Sequence, residues 1–115
     1  MAFPLLKLIV LRTHRLEEVK RFYESLGIEF VKEKHAQGPP HYAGAVGAAI
    51  LELSPLPKDA PEPDKSVRLG FVVHNLGSIA NELGSARLHI GPSQRNIPAM
   101  VIKDPDGRVV ELTQE

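Results

Sequence analysis

Two similar stretches decide the fold that this sequence predicts: Leu8–Leu16, which reads LIVLRTHRL, and Arg68–Leu76, which reads RLGFVVHNL. They superpose at an offset of sixty positions, and each carries a run of mostly apolar residues before an equivalent histidine. Self-similarity at a fixed spacing is the signature of a repeated structural unit. The sequence therefore predicts two copies of one module, each of which begins with a strand.

A helix is predicted to follow the strand in each copy. Apolar residues recur there every three or four positions, as on the buried face of a helix: Leu16, Val19, Phe22 and Leu26, then Leu76, Ile79, Ala80 and Leu83. Gly27 and Gly84 each follow the last apolar residue, where glycine commonly ends a helix. Asn75 is a good N-cap for the second helix.

The two copies also end alike. Ala48–Ser54 and Arg108–Thr113 are predicted strands, and Glu52 and Glu111 stand at nearly equivalent places in them. Just before the second of these strands, Asp104–Gly107 reads DPDG, in which proline is preset for a turn and glycine is free to take a positive φ. A β-hairpin is therefore expected to close the chain.

These observations divide a single domain, residues 1–115, into two modules at about 5–54 and 67–115. The segment between them, about 55–66, contains four prolines, which withhold donors from a strand ladder and stiffen a linker. The middle parts of the modules, Val31–Gly47 and Arg87–Ile97, are less regular. The repeat predicts two further strands in the middle of each module.

Composition limits the classes of function. The chain has 115 residues, 43% of them hydrophobic, which is ordinary for one globular domain. Fourteen basic residues balance fourteen acidic ones, so no broad field would attract nucleic acid or anionic lipid. There is no cysteine, which suits a reducing compartment. The apolar start Phe3–Leu11 is too short to span a bilayer and is predicted to be the first strand. We expect a cytoplasmic protein without nucleic-acid or membrane partners.

Two motifs carry a resemblance to a known family. Leu16–Gly27, which reads LEEVKRFYESLG, resembles the first helix of the glyoxalase/bleomycin-resistance/extradiol-dioxygenase (vicinal oxygen chelate) superfamily, which typically carries Phe-Tyr and then Leu-Gly. Asp104–Gly107 followed by Val109–Leu112 is similar to its other hallmark. The resemblance covers nearly the whole chain. It implies an α+β fold of two βαβββ modules whose curled mixed sheets form a cup, often completed in a homodimer.

In many members of that superfamily, four side chains at the floor of the cup bind one divalent metal ion. The resemblance places these positions at Leu8, Glu52, Arg68 and Glu111. Leucine offers no ligand atom, and arginine keeps its proton at any working pH. We therefore expect no cofactor and no normal four-ligand metal centre.

The two glutamates have alternative placements. Strand alternation puts Glu52 on the face of Ile50 and Glu111 on the face of Val109, which is either the cup or the solvent side of a half-buried strand. If both carboxylates face the cup, Arg68 would donate hydrogen bonds to one or both of them. The alternative for Arg68 is an exposed position at the start of a strand.

His35 and His41 flank a loop, Gln37–Pro40, which the resemblance places near the cup mouth. A histidine serves in proton transfer or ligand contact near neutral pH, although histidines in polar loops are often plain surface residues. Tyr42 would bring a hydroxyl or an aromatic face to a ligand, or pack as an ordinary strand residue. The candidate catalytic residues are His35, His41, Glu52 and Glu111, and the candidate ligand-binding residues are Tyr42 and Arg68.

Three functions remain open from the sequence. The first is a glyoxalase-like protein that binds a small organic molecule in the cup, as a metal-independent enzyme. The second is a non-catalytic protein of the resistance type that sequesters a compound, which is favoured because Leu8 and Arg68 stand where the resemblance implies two metal-binding histidines. The third is a metal-dependent lyase or dioxygenase that holds an ion through Glu52, Glu111, one loop histidine and water, but no residue spacing supports it.

Overall fold

The computed structural model describes residues 3–83, 89–92 and 98–115. The chain divides into two compact units, each of which holds one copy of the repeat. The first unit comprises Met1–Glu24 and Ile28–Pro63, and the second comprises Ser25–Gly27 and Asp64–Glu115. The boundary after Pro63 falls inside the proline-rich segment.

The first unit is one βαβββ module. Its strands form a four-stranded mixed sheet in the order β1-β4-β3-β2, in which β1 runs parallel to β4 and the other pairs are antiparallel. The elements are β1 (Leu8–Thr13), α1 (Leu16–Glu24), β2 (Phe30–Glu33), β3 (His41–Val46) and β4 (Ala49–Pro55).

The second unit repeats this architecture, with the sheet order β5-β8-β7-β6 and β5 parallel to β8. Its elements are β5 (Arg68–Val73), α2 (Leu76–Leu83), β6 (His89–Pro92), β7 (Pro98–Lys103) and β8 (Val109–Gln114). The predicted α+β fold of two βαβββ modules with mixed sheets is thereby confirmed. The predicted helix stop at Gly84 lies outside the described residues.

Local features mark the start of α2 and the end of α1. Asn75 caps α2, because its Oδ1 accepts a hydrogen bond from the backbone N–H of Ser78 at 3.1 Å, as predicted. Gly27, three residues after the end of α1, has a φ of +105°, which a residue with a Cβ rarely adopts. None of the helices that the structure describes is both long and apolar enough to cross a membrane.

The core of the first unit lies between α1 and one face of its sheet. Val19, Phe22 and Tyr23 of the helix are buried, and so are Leu51 and Leu53 of β4. The rings of Phe22 and Tyr23 meet edge to face with centroids 5.0 Å apart, a favoured aromatic geometry. The helical pattern in the sequence therefore marks a core face.

The first strand is shorter at its start than predicted. It begins at Leu8, whereas the apolar run begins at Phe3, and Phe3, Leu5 and Leu6 are exposed. The physical reason is the register with β4: Leu8 pairs with Ile50, one residue after that strand begins, and the carbonyl of Lys7 accepts a hydrogen bond from the N–H of Ile50, so Phe3, Leu5 and Leu6 lie beyond the start of the partner strand. Apolar composition alone therefore placed the start of this strand too early.

The turn before β8 contains a buried ion cluster. Nη1 of Arg108 lies 3.1 Å from Oδ2 of Asp104 and 3.0 Å from Oδ2 of Asp106. Oδ1 of Asp104 also accepts hydrogen bonds from the backbone N–H groups of Asp106 and Arg108. Gly107 takes the predicted positive φ, +93°. The two aspartates of the DPDG motif therefore form ion pairs with the next residue, Arg108. The sequence had suggested that Arg108 is an ordinary strand residue.

Candidate ligand-binding site in the first unit

The two faces of the first sheet have different surroundings. Tyr42 and Leu53 are cross-strand neighbours, and the hydroxyl of Tyr42 donates a hydrogen bond to Glu17 of α1 at 2.6 Å, so their face packs against the helix. Glu52 pairs with Ala43, and adjacent residues on a strand point to opposite faces. Glu52 therefore lies on the sheet face away from α1.

His41 stands on this second face between two carboxylates. It begins β3, is only 9% exposed and pairs across the strands with Glu33 of β2. Its Nε2 lies 3.2 Å from Oε1 of Glu33 and 3.4 Å from Oε1 of Glu52. The hydroxyl of Ser54 donates to the other oxygen of Glu52 at 3.1 Å. Because carboxylates only accept hydrogen bonds, this arrangement requires a hydrogen on Nε2 of His41.

His35 lies over His41. Their rings are stacked with centroids 5.1 Å apart and planes inclined by 27°. The loop reaches this position through a tight turn, in which the N–H of Gly38 donates to the carbonyl of His35 at 2.9 Å. Ala36 takes a φ of +51°, a conformation that is uncommon for residues with a Cβ. The loop therefore holds one exposed histidine against one buried histidine.

His35, His41, Glu52 and Ser54 line an open pocket of about 230 Å³. This volume suits a small molecule, or one end of a larger one, rather than an entire drug-sized ligand. Charged and polar groups converge on it, which gives a bound molecule several points of orientation. Its lining consists of Arg12, His35, Gly38, Pro39, His41, Glu52, Ser54 and Pro55.

Tyr42, a predicted ligand contact, lies on the other side of the sheet. It is buried against α1, with the hydroxyl on Glu17 and the ammonium of Lys20 4.9 Å from the ring centroid. A cation over an aromatic face is favourable. Tyr42 is not part of the pocket lining, and its contacts are those of a side chain that fixes the helix on the sheet.

The contact with Glu17 should be visible in a titration of tyrosine absorbance. The hydrogen bond that Tyr42 donates to Glu17 raises the pKa of its hydroxyl above the usual 10.0, since ionisation would break that bond. The absorbance change of wild type minus that of Tyr42→Phe should therefore be centred above pH 10. With a raised folded-state pKa, the contribution to stability is present below pH 10 and is lost as the pH rises through the folded-state value. A difference curve centred at or below pH 10 would contradict the contact.

The second unit places Arg68 beside Glu111. Nη2 of Arg68 lies 3.9 Å from Oε2 of Glu111, and the two side chains are 67% and 42% exposed. Val110 and Leu112, the neighbours of Glu111 on β8, are completely buried, so Glu111 lies on the opposite face of its sheet. The sequence-based pairing of Arg68 with Glu111 is therefore present as an exposed, weak ion pair.

At the four places where many superfamily members bind a metal, only two residues of this chain offer ligand atoms suited to a cation. Leu8 is exposed but has no ligand atom, and the guanidinium of Arg68 puts a positive charge next to Glu111. Two carboxylates remain, on different units. These residues do not fit a divalent cation.

Sequence reasoning did not identify Arg12 and Ser54 of the pocket lining, or Glu33, which contacts His41. Glu33 contacts His41 only because β2 and β3 pair in a register that brings the two residues opposite each other. Arg12 and Ser54 line the pocket with Glu52. The available signal was alternation, since Ser54 follows Glu52 by two positions and so shares its strand face. No comparable signal marks Glu33, whose partner lies across a loop.

A duplicated βαβββ module with a mixed sheet in each copy defines a class of small α+β domains. The family model described as "Glyoxalase/Bleomycin resistance protein/Dioxygenase superfamily" matches residues 5–112, and the chain belongs to this superfamily. A comparison with curated proteins gives no significant match.

Several solved structures share the fold over almost the whole chain. An integron cassette protein from V. cholerae has 22% identity and a TM-score of 0.68, and covers 99% of this chain and 97% of its own. A lactoylglutathione lyase from Agrobacterium tumefaciens has 16% identity and a TM-score of 0.68, with 99% and 96% covered. An antibiotic-binding protein from Streptomyces sp. CB03234 has 22% identity and a TM-score of 0.70, with 99% and 98% covered. At such identities the likeness shows the fold, and one fold serves several functions.

Proposed function

We propose that this protein binds a small organic molecule in the pocket of the first unit, with His41 as the central contact. One observation carries the proposal: the ring of the nearly buried His41 is held by two carboxylates at 3.2 and 3.4 Å in the wall of a pocket. A polar group whose orientation is already fixed loses little conformational freedom when a ligand arrives. Such preorganisation is typical of a binding site.

The same arrangement supports proton transfer as the chemistry of an enzyme. A histidine within hydrogen-bond distance of a carboxylate is suited to accept a proton from a ligand, because the carboxylate stabilises the imidazolium that forms. Glu33 holds this position on His41 at 3.2 Å, and Glu52, which accepts a hydrogen bond from Ser54, lies 3.4 Å from the same nitrogen. In this form of the proposal, His41 takes up the proton and Glu52 is a positioning residue.

The second candidate function is sequestration without turnover. Leu8 and Arg68 occupy places where metal-dependent members carry ligands, and this favours a protein that keeps the fold but not the family's metal chemistry. An antibiotic-binding protein shares this fold, and that likeness points the same way only as an analogy. Turnover of a ligand that binds at the pocket separates the two candidates.

A ligand screen by thermal shift in the presence of a chelator tests the proposal. Compounds that stabilise the wild-type protein should bind His41→Ala at least about tenfold more weakly, which is about 1.4 kcal/mol. His74→Ala is the matched control, because His74 also pairs with a glutamate, Glu115, but stands exposed in the second unit. This variant should bind as the wild type does.

The stability of each variant should be measured alongside its affinity. Loss of melting temperature without loss of affinity in His41→Ala would mark His41 as structural and contradict the proposal. Glu52→Gln keeps the size of the side chain and removes its charge, so it tests the carboxylate separately. If the proposal is correct, Glu52→Gln should weaken binding while the fold stays intact.

A further inference from the structure

Glu33, His35 and His41 form a group of metal-ligating side chains. One ligand atom from each lies within 4.8 Å of the others. None of the three stands at the four family places described above. The group is instead confined to one hairpin, because Glu33 ends β2, His41 begins β3 and His35 lies in the loop between them.

We propose that this group binds one divalent transition-metal ion. Two imidazole nitrogens and one carboxylate oxygen form a set that suits Zn²⁺, Co²⁺ and Ni²⁺, whereas Mg²⁺ and Ca²⁺ prefer oxygen ligands throughout. Three protein ligands leave at least one coordination position open. His35 and His41 both line the pocket, so the ion would lie at its wall.

The distances between the ligand atoms of Glu33, His35 and His41 are close to those that binding one metal ion requires. Metal–ligand bonds of about 2.1 Å in a tetrahedral site place ligand atoms about 3.4 Å apart. Nε2 of His41 and Oε1 of Glu33 are already 3.2 Å apart. The widest pair, at most 4.8 Å, has to close by up to about 1.4 Å. His35 is exposed on a loop, and its side chain is the one that can make this movement.

The surrounding charges also favour a cation. Glu52 adds a second carboxylate 3.4 Å from His41, and Ser54 fixes its other oxygen. Arg12, which lines the same pocket, opposes a cation with one positive charge. The two negative charges of Glu33 and Glu52 exceed this single positive charge. Glu52 faces the same nitrogen of His41 as Glu33 does, so that nitrogen would release its hydrogen when it binds the ion, and the carboxylate of Glu52 would add negative charge beside the ion.

Titration calorimetry of the chelator-treated protein with Zn²⁺ and Co²⁺ tests this site. We expect one ion per chain with micromolar or tighter affinity, and no comparable binding of Mg²⁺. Binding of Co²⁺ should also produce visible absorption bands, which report on nitrogen and oxygen ligands directly. This second readout distinguishes ligation from a nonspecific effect on the protein.

His35→Ala is the decisive variant, because an exposed loop residue can be replaced without loss of the core. It should weaken Zn²⁺ binding at least about tenfold and change the Co²⁺ bands, and Glu33→Gln should act in the same direction. His74→Ala should leave both readouts unchanged, since His74 and Glu115 form an exposed pair that belongs to no group of three metal-ligating side chains among the described residues.

The proposal would be overturned if Zn²⁺ did not bind one-to-one. It would also be overturned if His35→Ala bound Zn²⁺ as tightly as the wild type, or if His74→Ala lost as much affinity as His35→Ala. The inference goes beyond the proposed function and is tested independently of it. The organic-ligand screen is run with a chelator, so a failure of metal binding leaves that screen unaffected. Conversely, the calorimetry needs no organic ligand.

Discussion

Arg108→Leu is expected to lower the free energy of unfolding by about 3–5 kcal/mol. The side chains of Arg108, Asp104 and Asp106 are 3%, 0% and 3% exposed, so water cannot compensate a missing partner. Without the guanidinium, two carboxylates would be left buried next to each other. Denaturation by urea, followed by circular dichroism, measures the loss.

Arg68→Leu is the matched control for this experiment. Arg68 belongs to the same unit and also pairs with a carboxylate, but the pair with Glu111 is long and exposed. Its removal should change stability by less than about 1 kcal/mol. The triple variant Asp104→Asn, Asp106→Asn and Arg108→Leu should be less destabilised than Arg108→Leu alone, because no unpaired charge remains. Equal losses in the two arginine variants would contradict this account.

Leu53→Ala and Leu112→Ala are each expected to cost about 2–5 kcal/mol. Both leucines are completely buried, on the last strand of their modules, where they pack beside Tyr42 and Met100 respectively. Truncation removes buried apolar atoms and leaves a cavity that the neighbouring strands fill only partly. Urea denaturation of each variant measures the cost.

Ile50→Ala is the control for the first unit. Ile50 belongs to the same strand as Leu53 but is 38% exposed and lies on the face away from α1. Its truncation should cost clearly less than that of Leu53, about 1 kcal/mol or below. A loss as large as that of Leu53→Ala would mean that another surface covers this sheet face in solution.

The sequence contained most of the information on the fold because the relevant interactions are local or periodic. The repeat of Leu8–Leu16 in Arg68–Leu76 predicted two modules, and helical spacing predicted the buried residues of α1. Asn75 and Gly107 act through their own backbone neighbours, so their roles as cap and turn residue were readable directly. Where the prediction erred, at the start of β1, the missing information was a strand partner.

The candidate site was only partly predictable. His35, His41 and Glu52 were all named from the sequence, and the structure brings them together in one pocket. Their catalytic roles stay predictions, as does that of Glu111 in the second unit. Tyr42 was named with them because it follows His41. On a strand, however, adjacent residues point to opposite faces, and the hydroxyl of Tyr42 meets α1.

By itself, the sequence determined the modules, the helices and the closing hairpin, since these depend on periodicity and on residues a few positions apart. Only the tertiary structure decided that Glu33 lies against His41, because that contact requires the register of β2 on β3 across a loop. It also decided that Arg108 is buried between two aspartates. Strand register and the burial of a charged side chain are properties of the packed chain, and neither left a local mark on the sequence at Glu33 or Arg108.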